Sequence, residues 1–221
     1  MSILRSPLVR RLRPGLAATL DQAPRLREAW EASNRVALRA DGPLYVALGD
    51  STALGLGASA YDRGYVGQLR ARLEAHDGRA WRVVNVAKSG ARINDVRREQ
   101  MPCLDALPDP PDLVTCSVGA NDVLRFWLPL PLGELEALLA ALPDQAVIAT
   151  LPKGLRAGPT LRMNALIRGD APQYGLRVAD VWSRTGPPWE GKLAPDEFHP
   201  NDAGYRAWSA AFCEALGLPA A

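Results

Sequence analysis

The chain has 221 residues, of which 48% are apolar and 23% are charged, and its formal net charge is +2 at pH 7. This composition excludes a globally disordered chain, and the length predicts one domain with room for a sizeable core. The small net charge and the scattered basic residues argue against a nucleic-acid-binding protein.

The cysteines predict a reduced protein. There are three, an odd number at long spacings, which supports neither a disulfide framework nor a zinc site. They are Cys103, Cys116 and Cys213. A reducing compartment fits this usage, so we expect a cytoplasmic protein.

The chain begins with a basic segment. Its charges are Arg5, Arg10, Arg11 and Arg13. No long apolar stretch follows them, so we expect no secretion signal. A solvated arm is the favoured interpretation, and weak contact of residues 3–12 with an anionic membrane surface is the alternative. The pattern of residues 15–40 predicts a leading helical segment. We therefore divide the chain into a basic arm with this helical segment, over residues 1–40, and a main domain over residues 41–221.

Five short apolar runs predict β-strands. They cover residues 44–48, 81–87, 113–118, 146–151 and 176–182. Most of these runs are continuous rather than alternating in hydrophobicity. Continuous runs indicate strands that are buried on both faces, as in a parallel sheet.

Helical patterns fall between and after these strands. They cover residues 65–75, 132–142, 160–171 and a last segment that starts at Asn201 or Asp202 and stops at Gly217. The alternation of strand and helix predicts an α/β fold, a three-layer α/β/α sandwich around a central five-stranded parallel sheet. Ligands of such sheets bind at the carboxyl ends of the strands.

Short polar sequences follow the first three predicted strands. They are Gly49-Asp50-Ser51, Lys88-Ser89-Gly90-Ala91 and Gly119-Ala120-Asn121-Asp122. All three would project from one edge of a parallel sheet, and Asp196-Glu197-Phe198-His199-Pro200, after the fifth strand, could reach the same edge. A serine, a histidine and an aspartate are the parts of an activated hydroxyl nucleophile.

These blocks, in this order over about positions 44 to 205, resemble the SGNH hydrolase family, also called the GDSL-type lipase/esterase family. The matching stretches are Gly49-Asp50-Ser51, Ser89-Gly90, Gly119-Ala120-Asn121-Asp122 and Asp196-Glu197-Phe198-His199-Pro200. Thr52 stands where the short motif often has leucine, a position to which we assign no chemistry. The resemblance implies a flavodoxin-like fold that needs no metal or organic cofactor.

The resemblance also implies a role for each of three residues. Ser51 would be the nucleophile, and His199 would take its proton and later return it to the leaving group. Asp196 would hold the imidazole in the correct tautomer and orientation. The chain has one other histidine, His76, which precedes a predicted surface turn.

An oxyanion hole is the second implied feature. The resemblance assigns its donors to the backbone N–H groups of Ser51 and Gly90 and to the side-chain amide of Asn121. Each residue has a simpler interpretation when taken singly: Asp50 with Ser51 or Asn121 with Asp122 as a helix cap, and Gly90 as a turn glycine. Taken jointly, the residues favour a hydrolase site.

The substrate is less determined. Phe126 and Trp127, in the apolar stretch 123–132, are candidate substrate-binding residues, and an equally favoured alternative is that Phe126 and Leu130 face the core. Trp189 is a third candidate, for which a loop anchor is the simpler interpretation. The resemblance implies hydrolysis of a carboxylic ester or thioester, on a small or lipid-like acyl substrate, through an acyl-enzyme intermediate. Lipids, lysophospholipids, acyl-thioesters and acetylated sugars all remain open, and the expected lack of an export signal favours an intracellular ester or thioester.

Two other functions remain as alternatives. A nucleotide- or phosphate-binding α/β protein is one, because Gly49, Gly55 and Gly57 form a glycine-rich turn after a strand. That turn lacks the Gly-Lys-Ser/Thr of a P-loop. A catalytically idle relative that uses the same fold as a binding module is the other. The sequence leaves the oligomeric state open.

Overall fold

The computed structural model describes residues 11–219. Its strands are β1 (Leu44–Gly49), β2 (Arg82–Asn85), β3 (Leu113–Ser117), β4 (Val147–Ala149) and β5 (Arg177–Ala179). They form one parallel sheet in the order β2-β1-β3-β4-β5. This is the strand order of flavodoxin-like doubly wound sheets, and it confirms the predicted fold.

Helices cover both faces of the sheet. In chain order they are α1 (Pro14–Leu20), α2 (Gln22–Ala37), α3 (Ser51–Leu54), α4 (Tyr65–Asp77), α5 (Ile93–Asp95), α6 (Pro102–Asp105), α7 (Ala120–Leu124), α8 (Leu132–Ala141), α9 (Ala157–Asp170), α10 (Val181–Arg184) and α11 (Asp202–Ala215). A π-helix (Val96–Gln100) follows α5, and a 3₁₀ turn (Ala171–Tyr174) follows α9. None of the helices within residues 11–219 has the length and apolar character that crossing a bilayer requires.

Strand β1 shows why the apolar runs are continuous. Every residue of β1 is buried, and successive side chains point to opposite faces of the sheet. Tyr45 and Ala47 pack in a core with α2, α4 and α11, in which Tyr65 and Phe212 stack at 4.8 Å between ring centroids. Val46, by contrast, packs in the second core, with α8 and α9. A central strand therefore has no polar face.

The two last strands end earlier than predicted. β4 and β5 cover three residues each, rather than 146–151 and 176–182. After β5 the side chain of Asp180 accepts a hydrogen bond from the backbone N–H of Ser183 at 3.3 Å and caps α10. This local capping competes with strand pairing, so the predicted end of the fifth strand is wrong.

The leading segment forms two helices, and the second packs onto the sheet. Trp30 is buried, and its indole Nε1 donates to the carbonyl oxygen of Leu54 at 3.0 Å. Asn34 pairs through its amide with the backbone N–H and C=O of Asn85, both at 2.9 Å, at the end of edge strand β2. The division of the chain into two parts at residue 40 stays a prediction. Two arginines of the basic segment, Arg5 and Arg10, lie outside the described residues.

Candidate active site

The turn after β1 presents Ser51 at the carboxyl edge of the sheet. Gly49 has φ +144°, and a Cβ there would collide with the carbonyl oxygen of Ser117. Asp50 then caps α3, because its Oδ1 accepts from the N–H of Thr52 at 2.9 Å. Ser51 is the first residue of α3, so its backbone N–H has no acceptor within the helix.

Gln100 fixes this turn from the π-helix. Its Nε2 donates to the carbonyl oxygen of Gly49, and its Oε1 accepts from the N–H of Gly49, both at 2.8 Å. Gln100 is buried, and it pairs with the backbone as a neighbouring strand would. The sequence analysis missed this residue, since a glutamine among Arg97, Arg98 and Glu99 carries no local sign of a buried partner.

Ser51, His199 and Asp196 form a continuous line of hydrogen bonds. The Oγ of Ser51 lies 3.0 Å from Nε2 of His199, and Nδ1 of His199 lies 2.6 Å from Oδ2 of Asp196. His199 is only 8% exposed. The other oxygen of Asp196 accepts from the N–H of His199 at 2.9 Å and from the N–H of Phe198 at 3.1 Å. These bonds hold both members of the pair in a single geometry.

The carboxylate of Asp196 stays ionised in this setting. Burial by itself would raise the pKa of Asp196, but the hydrogen bond and charge of His199, with the two backbone N–H groups, hold that pKa below its usual value. An ionised Asp196 accepts from a protonated Nδ1, which leaves Nε2 of a neutral imidazole as the acceptor that faces Ser51.

The segment that contains His199 packs closely against the loop after α3. Gly57 has φ +94°, and a Cβ there would collide with the carbonyl oxygen of Pro200 and lie 3.1 Å from Cβ of His199. The hydroxyl of Tyr205, on α11, donates to the carbonyl oxygen of Leu56 at 2.7 Å. These contacts set the distance between α3 and the imidazole.

Asn121, at the start of α7, lies beside the turn that contains Gly90. Its Nδ2 donates to the carbonyl oxygen of Ala91 at 2.9 Å, which uses one of the two amide hydrogens. The turn is closed by the N–H of Ala91 and the carbonyl oxygen of Lys88 at 3.0 Å. Asn121 and Ser51 line the same cavity, whereas Gly90 is exposed and is not among the residues that line it.

A buried carboxylate lies behind Ser51. Asp50 is buried, and burial raises its pKa. The hydroxyl of Thr52 donates to Oδ1 of Asp50 at 2.8 Å and lies 3.2 Å from Oγ of Ser117. Thr52, to which we assigned no chemistry, therefore supplies a hydrogen bond to a buried carboxyl group, and a leucine could not.

A second buried acid is Asp122, on α7. Burial raises its pKa to about 6, although the N–H of Ile93 donates to its Oδ2 at 3.1 Å and favours the ionised form. This hydrogen bond joins α7 to α5. Asp122 was interpreted from sequence as a possible helix cap, and in the structure its carboxylate serves a different helix.

A cavity of about 390 Å³ opens beside Ser51 and His199. Its apolar wall includes Leu151, Leu155, Trp189 and Phe198, and its cationic residues are Lys153, Arg184 and Lys192. Phe126 and Trp127 are not part of the wall, and they are 69% and 65% exposed. Of the three candidate substrate-binding residues, only Trp189 thus reaches the cavity.

Residues 47–207 match the family model for the GDSL-like Lipase/Acylhydrolase family. The match includes all four sequence blocks and most of the chain. The chain belongs to this family. Membership of the GDSL-like lipase/acylhydrolase family makes it a carboxylic ester hydrolase, as the sequence predicted. No curated protein matches the chain.

Solved structures share the fold. An alpha/beta hydrolase enzyme from the metagenome of Lake Arreo, Spain, is 28% identical with a TM-score of 0.61, over 80% of this chain and 96% of that chain. A variant of an acetyl xylan esterase from Geobacillus stearothermophilus is 22% identical with a TM-score of 0.65, over 82% and 98%. A lipase from a goat rumen metagenome is 18% identical with a TM-score of 0.60, over 79% and 97%. Three further structures of the Geobacillus esterase are described as catalytic mutants, in which a serine, an aspartate or a histidine is replaced by alanine.

Proposed function

We propose that this protein is a serine esterase that cleaves carboxylic esters or thioesters through an acyl group carried on Ser51. The observation that carries the proposal is the line of hydrogen bonds from Ser51 through His199 to Asp196, with lengths of 3.0 and 2.6 Å, at the wall of a cavity. A neutral hydroxyl is a poor nucleophile, and a base at this distance is what activates it.

In the first half of the reaction Ser51 is acylated. Nε2 of His199 takes the proton from Oγ of Ser51 as Oγ attacks the carbonyl carbon of the ester. The tetrahedral intermediate collapses when the bond to the leaving oxygen or sulfur breaks, and His199 gives its proton to that atom. The products of this half are an acyl ester on Ser51 and a free alcohol or thiol.

In the second half a water molecule removes the acyl group. His199 takes a proton from the water, whose oxygen attacks the acyl carbon, and the proton returns to Oγ of Ser51 when the carboxylic acid leaves. Asp196 remains ionised throughout and stabilises the imidazolium that forms twice in each cycle. The lowered pKa of Asp196 supports this role.

Three donors would receive the oxyanion of the intermediate: the N–H of Ser51, the N–H of Gly90 and the second amide hydrogen of Asn121. Ser51 is the first residue of α3, where backbone N–H groups are unpaired and the helix dipole favours negative charge. The hydrogen bond from Asn121 to Ala91 fixes the amide plane, so its remaining hydrogen needs no reorientation.

The comparisons support these assignments by analogy. The Geobacillus esterase has its aspartate three residues before its histidine, the same spacing as Asp196 and His199. Its serine, aspartate and histidine variants are called catalytic mutants, so we carry the three roles to Ser51, Asp196 and His199 as part of the proposal. Acetylated xylan and lipid esters, the substrate classes those relatives' names suggest, are both within the proposed activity.

Labelling with a fluorophosphonate tests the mechanism directly. This reagent phosphonylates an activated serine, so we expect mass spectrometry to find one adduct, on Ser51, and none in Ser51→Ala. His199→Ala should lose the adduct and most of the turnover of a short-chain p-nitrophenyl ester, about 10³-fold or more. The matched control is His76→Ala, which changes the only other histidine, on the surface of α4.

The control should keep both labelling and turnover. An adduct on another serine, or loss of labelling in His76→Ala rather than in His199→Ala, would overturn the assignment. A chain-length series of esters and thioesters on the wild-type protein then identifies the acyl group that the cavity accepts.

A further inference from the structure

The loop after α7 places aromatic side chains in solvent. The N–H of Leu128 donates to the carbonyl oxygen of Arg125 at 2.9 Å, which closes a β-turn with Phe126 and Trp127 as its two central residues. They are 69% and 65% exposed. Central turn positions favour glycine, proline, asparagine, aspartate and serine, so the turn itself does not require the two large apolar rings that it exposes.

The exposed apolar surface extends beyond these two rings. We call it the apolar rim, and it consists of Leu124, at the end of α7, with Phe126, Trp127 and Leu128 of this loop, all of which are exposed. Phe198 adjoins His199 and lines the cavity. The base of the loop is anchored, since Leu130 and Leu132 pack against the core. Exposed apolar groups of this size mark an interaction surface rather than a poorly folded segment.

Three positively charged side chains accompany the apolar rim. Residues 123–133 and 151–162 contain no Asp or Glu, but they include Arg125, Lys153 and Arg156. The guanidinium carbon of Arg156 lies 5.8 Å from the ring centroid of Phe126, and Lys153 lines the cavity. Over residues 11–219 these three cations take part in no ion pair. The side of the cavity formed by residues 151–162, together with the neighbouring segment 123–133, is therefore both apolar and positively charged, whereas the acidic Glu197, next to Phe198 in the chain, lines the same cavity.

We propose that the apolar rim and these three cations dock the protein on an anionic lipid surface, so that the cavity faces the lipid. Aromatic rings partition into the headgroup region of a bilayer, and arginine and lysine are attracted to anionic headgroups. This inference rests on the proposed function and narrows it, because docking brings Ser51 to acyl esters that are held in such a surface.

Two other occupants fit the surface less well. A sugar stacks on a flat aromatic face, but the rings of Phe126 and Trp127 meet edge to face at 83°, and the aliphatic side chains beside them offer no platform. A symmetric dimer through the apolar rim would bring Arg125 and Arg156 of one copy near the same residues of the other. The like charges would then oppose association.

Sedimentation of the full chain with vesicles tests the docking. We expect binding to phosphatidylglycerol vesicles, weak binding to phosphatidylcholine vesicles, and release from the former by salt. Changing Arg125 and Arg156 together to glutamate should weaken binding by roughly 25-fold or more, about fivefold for each cation lost. Phe126→Ser with Trp127→Ser should weaken it by about tenfold or more.

Matched control variants use the opposite edge of the sheet, where the chain enters β1. Arg39→Glu removes an exposed cation there, and Val36→Ser removes an exposed apolar side chain. Both should bind vesicles as the wild type does. Ser51→Ala should also bind normally, and the Arg125/Arg156 variant should still hydrolyse a soluble short-chain ester. The docking and catalytic proposals can therefore fail independently.

Several results would overturn the docking proposal. One is that the wild-type protein does not bind phosphatidylglycerol vesicles. Another is that the wild type and the Arg125/Arg156 variant bind them equally well. If deletion of residues 1–10 alone abolished binding and the apolar-rim variants kept it, the basic arm would be the lipid contact instead. A dimer that dissociates in the Phe126/Trp127 variant, without any vesicle binding, would assign the surface to a second copy.

Discussion

A single hydrogen bond fixes the orientation of the Asn121 amide and so determines which of its hydrogens is left for a substrate. Nδ2 donates to the carbonyl oxygen of Ala91 at 2.9 Å, so the amide cannot rotate without losing a bond to a buried residue. A donor that is held in place before the oxyanion forms costs nothing to reorganise during the reaction. The bond to Ala91 is thus part of the proposed catalytic arrangement, although it touches no substrate.

Replacing Asn121 by alanine should remove one oxyanion donor and leave the line from Ser51 to Asp196 unchanged. We expect kcat for a p-nitrophenyl ester to fall by about 10² to 10³, with a much smaller change in KM, since the donor acts mainly on the transition state. Steady-state kinetics on variant protein with a wild-type circular dichroism spectrum measures both. A kcat within tenfold of the wild type would remove Asn121 from the oxyanion hole.

The hydrogen bonds between the buried Asp50 and the half-buried Thr52 show what a threonine supplies at the position where the short motif often has leucine. The carboxylate of Asp50 accepts from both the N–H and the hydroxyl of Thr52, and the hydroxyl also lies 3.2 Å from Oγ of Ser117. Burial without donors would be costly for this group. In this chain Thr52, the residue after the proposed nucleophile, therefore stabilises the turn on which Ser51 lies.

The four-residue helix α3 is too short to be stable alone, and three neighbouring elements hold it. Gln100 of the π-helix binds Gly49 before it, Trp30 of α2 donates to Leu54 at its end, and Tyr205 of α11 donates to Leu56 beyond it. The proposed nucleophile, Ser51, is thus positioned by contacts between elements that are far apart in sequence.

Gly57 tests the contact between the loop after α3 and the segment of His199. In Gly57→Ala the new Cβ would meet the carbonyl oxygen of Pro200 and displace the imidazole from Ser51. We expect at least a tenfold loss of kcat and a stability loss of about 2 kcal/mol or more. Ester kinetics and urea unfolding measure the two effects.

Gly78→Ala is the matched control for this variant. Gly78 also has a positive φ, +71°, but a Cβ there meets nothing within 4 Å. The control should lose roughly 1–2 kcal/mol of stability from backbone strain and keep full turnover. Equal effects of the two variants on turnover would mean that the contact with Pro200 does not position His199.

The sequence predicted the elements whose signal is local and missed those that depend on distant partners. Continuous apolar runs placed β1 and β3, because strands buried on both faces need no polar residues. The contact between Gln100 and Gly49 spans 51 residues, and no nearby residue reports it. Phe126 and Trp127 looked like core or pocket residues, since hydrophobicity alone does not distinguish a buried ring from an exposed one.

At the scale of the whole molecule, the carboxyl edge of the sheet gathers every residue of the proposed site. Ser51 follows β1, Asn121 follows β3, and His199 lies in the segment after β5. Ser51 and His199 are 148 residues apart in sequence. Convergence at this edge follows from parallel strands with crossover helices. It also draws the acidic residues Asp50 and Asp122 into the interior, so the stability of the protein should depend on pH.

The raised pKa of Asp122 predicts how the stability changes with pH. This pKa rises from 3.8 to about 6 on folding because the carboxylate is buried. The native state therefore holds its proton more tightly than the unfolded state does. The resulting stabilisation is complete below pH 3.8 and is lost as the pH rises through about 6. The difference is about 3 kcal/mol, at 1.36 kcal/mol for each pH unit.

Asp122→Asn should remove this loss, because the amide oxygen can still accept from the N–H of Ile93 but carries no charge. We expect the variant to be more stable than the wild type at pH 7 by up to about 3 kcal/mol, and of similar stability at pH 4, in urea unfolding. The control is Asp105→Asn, at an exposed position, which should change stability about equally at both pH values. A wild type that is the more stable protein at pH 7 would show that the buried carboxylate is stabilised by its hydrogen bond rather than penalised by burial.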